Sequence, residues 1–141
     1  MSDLAAAARL RQATAQFPVA WYCDPRVLEA ERKNLLARAP GYVGHTLMVP
    51  ERGDYHVLTA RNDAQALVHA TRGVELLSNI CRHRQAIMLS GRGNTQSIVC
   101  PTHRWTYDLG GKLLGAPHFA NQPCEQLGRT PLQNWKGLLF D

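Results

Sequence analysis

The sequence has no long hydrophobic run, little charge and few aromatic residues. Of its 141 residues, 45% are hydrophobic, 19% are charged and 7% are aromatic. No stretch approaches the roughly 20 apolar residues that span a bilayer, so we expect no membrane contact. Asp3, Arg9 and Arg11 break up the short N-terminal alanine-rich stretch, so we expect no secretory signal peptide. The aliphatic content excludes a disordered chain, and these features together predict a soluble, cytoplasmic protein.

Basic residues outnumber acidic ones, but they are not clustered. Lysine and arginine total 16 against 11 aspartates and glutamates, for a net charge of +5, and 13 of the 16 are arginines. The arginines are scattered along the chain, whereas a nucleic-acid surface concentrates them in one patch. We therefore expect no nucleic-acid partner. The charge is interpreted as a solvated surface or as a docking surface for an acidic protein partner.

Two amphipathic helices are predicted before residue 41. The first covers 3–16 and stops at Phe17-Pro18, because proline disfavours helical backbone in the residue before it. The second begins at Asp24-Pro25, a capping carboxylate followed by proline at the first helical position, and ends at Pro40-Gly41. Residues 1–40 are thus expected to form a helical N-terminal extension.

After Gly41, short alternating runs separated by turn residues predict a series of strands. The expected strands are 42–49, 55–60, 65–70, 74–79, 96–99, 106–108, 112–114 and 137–140. Gly110-Gly111 indicates a hairpin, and the glycine-containing segment 91–94 is interpreted as a β-turn. The predicted fold class is mainly β, a small antiparallel β-sandwich over 41–141 that follows the helical extension.

Four of the cysteines and histidines form two similar pairs. Cys81 is followed after one residue by His83, and Cys100 is followed after two residues by His103. Two thiolates and two imidazoles fit tetrahedral zinc or an iron–sulfur cluster. A Cys₂His₂ zinc finger pairs like with like, whereas each pair here mixes the two ligand types. The mixed pairs match a Rieske [2Fe–2S] cluster, in which cysteines hold one iron and histidines hold the other.

These motifs resemble the Rieske domain of ring-hydroxylating oxygenase α-subunits, the terminal components of non-haem iron oxygenases. The resemblance is carried by NICRHR at 79–84 and CPTHRWTYD at 100–108. It extends back to WYCDP at 21–25 and GYVGH at 41–45, and forward to WKGLLF at 135–140. The family implies a Rieske-type β-sandwich with two cluster-binding loops.

The resemblance also implies roles for individual residues. The two cysteines, Cys81 and Cys100, would bind one iron, and the two histidines, His83 and His103, would bind the other. Trp105 would pack beside the second loop and shield the cluster. No residue of this chain would be catalytic.

Two departures and two flanking charges accompany the ligand pairs. The small glycine that the family usually has after each pair is missing, and Gln85 and Arg104 stand there instead. This change affects the expected backbone geometry and the hydrogen bonds to the sulfurs, which tune such clusters. Arg84 and Arg104 flank the ligands and are candidates for docking an acidic partner or for solvated charge.

By the resemblance, the chain relays single electrons. A ferredoxin or flavin reductase would reduce the cluster, and the acceptor would be a mononuclear Fe(II) that activates O₂ in the catalytic domain of a neighbouring subunit in a homotrimer. That domain holds its iron on two closely spaced histidines and a carboxylate. Here the nearest histidines, His45 and His56, are eleven residues apart. Dioxygenase or monooxygenase activity would therefore need the complete oxygenase.

Two alternatives stay open at this point. The first is a stand-alone Rieske ferredoxin-like carrier, against which the helical extension argues. The second is a zinc-stabilised interaction module that uses the same four ligands. The disulfide-stapled respiratory class of Rieske proteins is not favoured, because Ala86 and Thr102 stand where that class has extra cysteines.

Several other residues have simple structural interpretations. Cys23 and Cys124 are expected to be free thiols in a reducing compartment. Trp21 and Trp135 are expected to be core anchors, and Asp108 is expected to cap the Gly110-Gly111 hairpin.

Overall fold

The computed structural model describes residues 17–121 and 123–141. The chain divides between Pro40 and Gly41 into two units. The helix predicted over 3–16 lies outside the described residues, and the assignment of 1–40 and 41–141 to an extension and a cluster domain stays a prediction. Within the described ranges, no helix is long and apolar enough to cross a membrane.

The described residues of the first unit, 17–40, contain one short α-helix, α1 (Pro25–Glu31). The Asp24 carboxylate accepts a hydrogen bond from the Arg26 backbone N–H at 2.9 Å, so the predicted N-cap is confirmed. The helix is shorter than predicted, because a π-helical turn, Arg32–Leu36, follows it and changes the hydrogen-bond ladder. Trp21 is 50% exposed, and none of the described residues of this unit is buried. The prediction of Trp21 as a core anchor is therefore wrong.

The described part of the second unit contains eleven short strands in three antiparallel sheets. The strands are β1 (Tyr42–His45), β2 (Asp54–Val57), β3 (Gln65–Ala70), β4 (Gly73–Ser78), β5 (Arg92–Asn94), β6 (Ile98–Val99), β7 (Thr106–Tyr107), β8 (Leu113–Gly115), β9 (Arg129–Thr130), β10 (Gln133–Trp135) and β11 (Leu138–Phe140). The largest sheet has the order β5-β2-β3-β4-β9, and the others are β1-β11-β10 and β6-β7-β8. The predicted mainly antiparallel β fold is confirmed.

The first two predicted strands end earlier than expected, because a 3₁₀ turn follows each. Strand β1 ends at His45, whose Nδ1 accepts a hydrogen bond from the Leu47 backbone N–H at 3.1 Å and caps the turn Thr46–Met48. Strand β2 is likewise followed by the turn Thr59–Arg61. Strand β3, in contrast, has the predicted bounds, since its alternating side chains are buried on both faces of the largest sheet.

Segment 91–94, predicted as a β-turn, instead contains β5, which pairs with β2. The prediction is wrong because Gly93 lies within a strand, where its missing side chain lets the Tyr55 ring of β2 approach the backbone. A Cβ at Gly93 would lie 2.8 Å from the Tyr55 hydroxyl oxygen. Strands β9 and β10 were also not predicted, and both are short and carry no fully buried residue.

The largest sheet separates two buried clusters of side chains. On one face, Ala66 and Val68 of β3 contribute to a cluster that also contains residues of β6, β7 and β8. On the other face, Leu67 packs with residues of β1, β4 and β11. Cys81 and Cys100 both belong to the first cluster, so this core positions both loops.

Trp135 lies outside both clusters. Its side chain is 61% exposed on β10, an edge strand whose three residues are all exposed. The prediction of Trp135 as a core anchor is therefore also wrong, because β10 has a partner strand on one side only and its side chains lie outside both buried clusters.

A partly buried ion pair gives the fold a testable pH dependence. Arg61 contacts the Asp141 carboxylate with two nitrogens, at 2.5 and 2.9 Å, and this pairing lowers the pKa of Asp141. The contribution is complete above the unfolded pKa, about 3.9, and is lost as pH falls through the lower folded pKa. We expect Asp141→Asn to lose about 1 kcal/mol of unfolding free energy at pH 7 and a smaller amount near pH 2.

Urea unfolding of both proteins at the two pH values measures this difference. The matched control is Glu51→Gln at an exposed carboxylate, which should change stability little at either pH. An equal loss at pH 7 and pH 2 would contradict the role of the Asp141 charge.

Candidate metal centre

The two ligand pairs lie on loops with the same backbone hydrogen bonds. The Cys81 N–H donates to the Ala86 carbonyl at 2.9 Å, and the Cys100 N–H donates to the Trp105 carbonyl at 2.8 Å. In both loops, therefore, the cysteine N–H reaches the carbonyl of the residue five positions later. The first loop follows β4, and the second joins β6 to β7.

Gln85 and Arg104 close these two turns in the left-handed backbone conformation, with φ of 57° and 63°. Each donates its backbone N–H to the carbonyl of the cysteine four residues earlier, at 3.0 Å. Glycine adopts this conformation most readily, which explains why glycine would suit both positions. The two departures from the family pattern therefore keep the turn geometry and add side chains at the loop tips.

The loops bring all four predicted ligand residues together. Cys81 and Cys100 are each 1% exposed, and their side chains are in contact. The rings of His83 and His103 are half-buried, with centroids 4.7 Å apart. Both Nδ1 atoms are buried and have no hydrogen-bond partner among the described residues. Two buried thiols and two unpartnered imidazole nitrogens thus lie in one site.

The second loop stabilises a thiolate. Burial, the largest single effect, opposes ionisation of Cys100, whereas hydrogen bonds from the backbone N–H groups of Thr102 and His103 favour it. Contacts with the Cys81 and Thr102 side chains act in the same direction, and the net result is a lowered pKa of Cys100. A thiolate is the form that binds metal.

His83 is kept in its neutral, ligating form. Burial lowers the pKa of His83, and the neighbouring His103 and the Arg84 guanidinium lower it further. Because protonation would block a ring nitrogen, a lowered pKa preserves the lone pair that a metal needs.

Tyr107 is a site residue that the sequence analysis did not assign. Its hydroxyl lies 3.6 Å from the Cys81 sulfur and accepts a hydrogen bond from the Arg82 backbone N–H at 3.2 Å. Burial and the adjacent Cys81 and Cys100 thiols raise the pKa of Tyr107, so the phenol keeps its proton. The only sequence signal was its position in the 100–108 motif.

Aromatic rings cover one side of the histidine pair. Trp105 is 3% exposed and stacks on His83, with centroids 5.0 Å apart and planes 8° apart. Phe119, which the sequence analysis did not single out, meets the rings of His83 and Trp105 edge-on, with centroid distances of 5.8 and 5.3 Å. The predicted position of Trp105 agrees with this arrangement, although the tryptophan packs on the histidine of the first loop.

Asn79 ties the two ends of the first loop together and was also not assigned from the sequence. It is 1% exposed. Its side-chain amide donates to the carbonyls of Asp63 and Leu89, each at 2.9 Å, and its carbonyl accepts from the Leu89 N–H at 2.8 Å. These bonds fasten the chain at position 79, two residues before Cys81, to the backbone of Asp63 and Leu89.

The remaining predicted residues lie around the site or away from it. Arg84 and Arg104 are exposed. Cys23 and Cys124 are exposed free thiols, as predicted. The Asp108 carboxylate accepts hydrogen bonds from the Gly110 and Lys112 backbone N–H groups at 2.9 and 2.8 Å, which confirms the hairpin cap.

The donor set suits a binuclear group that takes two protein ligands per iron. No group of three or more histidine, cysteine, aspartate or glutamate residues that could hold one metal ion occurs in the described part of the chain. A [2Fe–2S] cluster would require no such group, since each of its irons would take only two ligands from the protein. Two buried thiols and two orphaned imidazole nitrogens fit that requirement.

Fold and site together define a small iron–sulfur domain, and sequence comparison identifies its family. Residues 40–135 match the Rieske [2Fe-2S] domain, and the chain belongs to this family. Its cofactor is accordingly a Rieske [2Fe–2S] cluster.

Similar proteins are larger oxygenases. Over its whole length the chain is 59% identical to putrescine 2-hydroxylase of Ralstonia nicotianae, and it spans 39% of that protein. It is 30% identical to the glycine betaine monooxygenase oxygenase subunit of Pseudomonas aeruginosa, over 89% of this chain and 30% of that protein. The fold matches naphthalene 1,2-dioxygenase from Rhodococcus sp. with a TM-score of 0.68 at 32% identity, over 83% of this chain and 29% of that one. The chain thus spans well under half the length of these relatives.

Proposed function

We propose that Cys81 and Cys100 hold one iron of the cluster and that His83 and His103 hold the other through Nδ1. The two orphaned nitrogens carry this proposal. A buried ring nitrogen without a hydrogen bond is costly, and metal ligation accounts for it. The buried, touching thiols and the lowered pKa of Cys100 support the cysteine half of the ligand set.

When bound, the cluster accepts and donates one electron at a time. The protein side chains around it hold the ligands and limit the access of water. Tyr107 keeps its proton and is positioned to donate a hydrogen bond to the Cys81 sulfur. The Arg82 backbone N–H orients the Tyr107 hydroxyl, and Trp105 covers one face of His83.

The function that these features support best is one-electron relay within an oxygenase. The proposed donor is a ferredoxin or flavin reductase, and the proposed acceptor is a mononuclear non-haem iron in the catalytic part of the complete enzyme. We also propose a homotrimer, with the acceptor iron in the neighbouring subunit, and a cytoplasmic location. Membership of the Rieske family supports the electron relay. The free cysteines support only the reducing compartment.

The proposed activity of the complete oxygenase is hydroxylation of a small aliphatic diamine. The 59% identity to putrescine 2-hydroxylase supports this substrate class. Incubation of the complete enzyme with a reductase, a reduced nicotinamide cofactor as the source of two electrons, O₂ and putrescine should yield a product with one added oxygen, detected by mass spectrometry, while the second oxygen atom leaves as water. Turnover of glycine betaine or naphthalene in place of putrescine would contradict the diamine assignment.

An EPR spectrum of the dithionite-reduced protein tests the cluster assignment, with iron and sulfide quantified on the same sample. We expect a rhombic signal whose average g lies below the free-electron value, with two irons and two sulfides per chain. Absence of the signal, together with one zinc per chain, would overturn electron transfer and favour a structural metal module.

Replacing Tyr107 by phenylalanine should lower the reduction potential of the cluster. A hydrogen bond to a ligating sulfur stabilises the more negative, reduced state, and its net value is about 1 kcal/mol. For a one-electron couple, this corresponds to a fall of roughly 50 mV. Protein-film voltammetry measures the shift. Tyr55→Phe is the matched control, because the Tyr55 hydroxyl lies against Gly93 and its loss should leave the potential unchanged.

A further inference from the structure

A cavity of about 470 Å³ opens beside the first residues of β4, whereas the first ligand-bearing loop follows the last residue of that strand. The β3–β4 turn and the β7–β8 turn both contribute to its walls. Ala70 and Leu109 also line it, and both belong to the first buried cluster of side chains. The cavity is therefore built on the packed core and not on a loose loop.

Positive side chains outnumber negative ones around this cavity. The four cationic lining residues are Arg52, Arg72, Lys112 and Arg129, and the two carboxylates are Glu75 and Asp108. The lining therefore has an excess of two positive charges.

Both carboxylates already have partners within the fold. Glu75 pairs with Arg129, whose Nε lies 3.2 Å from the Glu75 carboxylate and whose Nη2 donates to the Gly110 carbonyl at 3.1 Å. Asp108 Oδ1 accepts the two backbone hydrogen bonds that cap the β7–β8 hairpin. Arg129 is thus held in place at the cavity, and its charge is balanced by Glu75.

The other three cations have no such balance. Arg52, Arg72 and Lys112 are exposed, and none of them forms an ion pair with a carboxylate in the described ranges 17–121 and 123–141. Like charges gathered around one cavity repel one another, so the fold gains no stability from this arrangement. A bound anion would turn the repulsion into attraction.

The chemistry of the lining favours oxyanion groups. Arginine presents parallel N–H donors that match the oxygens of a phosphate or a carboxylate, and lysine adds a point charge. Thr71, Gln96 and Gln126 also line the cavity and supply further hydrogen-bond donors. A cavity of this size lies within the range that holds a small organic molecule, so it has room for more than one oxyanion group.

We propose that this cavity binds a small molecule that carries two or more oxyanion groups, phosphates or carboxylates, with Arg72 and Lys112 as its main contacts from the two turns. The site lies apart from the four ligand residues along the chain and along β4. The inference goes beyond electron transfer and does not depend on the metal centre.

Calorimetric titration of the chain at fixed ionic strength tests the proposal, with magnesium-free ADP, tricarballylate and inorganic phosphate as the probes. We expect ADP or tricarballylate to bind at least about tenfold more tightly than inorganic phosphate, because several oxyanion groups engage several cations. The tighter of the two probes assigns the site to phosphate or to carboxylate ligands. The same probe should raise the thermal midpoint of the protein, since it binds only the folded state.

Two substitutions at the cavity and one control identify the binding residues. Arg72→Gln and Lys112→Gln should each weaken binding about tenfold, which corresponds to the loss of one charge-assisted hydrogen bond. The double variant should lose the ligand-induced rise in thermal midpoint, while its own midpoint without ligand should match or exceed that of the wild type. The control is Arg84→Gln, an exposed arginine without an ion pair beyond the opposite end of β4, roughly 20 Å away.

Several results would overturn the proposal. Equal affinity for all three probes, or equal weakening in Arg84→Gln, would show attraction to the net charge of the protein and no site. Binding of polyglutamate without binding of ADP or tricarballylate would assign the surface to an acidic protein segment. Probe binding by this chain that is absent from the complete enzyme would show that the rest of the enzyme covers the cavity. Absence of the EPR signal, in contrast, would defeat the proposed function and leave this site unaffected.

Discussion

Replacing Cys81 by serine should remove the cluster from the purified protein. A serine hydroxyl does not ionise near neutral pH, and its hard oxygen is a poor replacement for thiolate in an iron–sulfur site. Loss of a residue that only supports a metal ligand typically costs 10–100-fold in affinity, so we expect iron content to fall at least about tenfold when the ligand itself is lost. Iron and acid-labile sulfide analysis, with visible absorption, measures the loss.

The chain offers a matched control for this substitution. Cys124 is exposed and unpaired, so Cys124→Ser makes the same chemical change away from the site. This variant should keep two irons and two sulfides per chain. Equal loss of iron in both variants, or full loading of Cys81→Ser, would contradict the proposed ligand set.

Replacing Asn79 by alanine should produce the largest loss of stability among these predictions. The change deletes three hydrogen bonds and leaves two backbone groups of Leu89 and the carbonyl of Asp63 without their partner. Because Asn79 is 1% exposed, water does not readily replace the lost bonds. At about 1 kcal/mol for each bond, the expected cost is about 3 kcal/mol, or a fall in Tm of roughly 10 °C.

Calorimetry of the wild-type protein and of Asn79→Ala, each with and without bound iron, measures the loss of stability. The control is Asn134→Ala, which deletes one exposed hydrogen bond to the Gly137 N–H and should cost less than about 1 kcal/mol. Because Asn79 holds the chain beside Cys81, the iron content of Asn79→Ala should fall as well. A melting temperature within about 2 °C of wild type, the change expected of an ordinary surface substitution, would contradict this role.

The strands could be predicted where their pattern was local. Strand β3 has alternating side chains that are buried on both faces, and its bounds were predicted correctly. Strand β5 was missed because its pairing with β2 depends on the contact of Gly93 with Tyr55, a residue far away in the sequence. The exposure of Trp21 and Trp135 was missed for the same reason, since burial depends on which elements pack nearby.

The sequence by itself determined the candidate ligands, because each mixed pair lies within a few residues of chain and its chemistry can be inferred from the residue types. It also determined the mainly β fold class, through short alternating runs. Only the tertiary structure decided which side chains surround the ligands. Tyr107 reaches Cys81 across 26 positions, and Asn79 joins chain segments on either side of the loop. Such contacts form between residues distant in sequence and leave no local pattern. Packing and backbone conformation alone therefore place Tyr107 and Asn79 around the ligands.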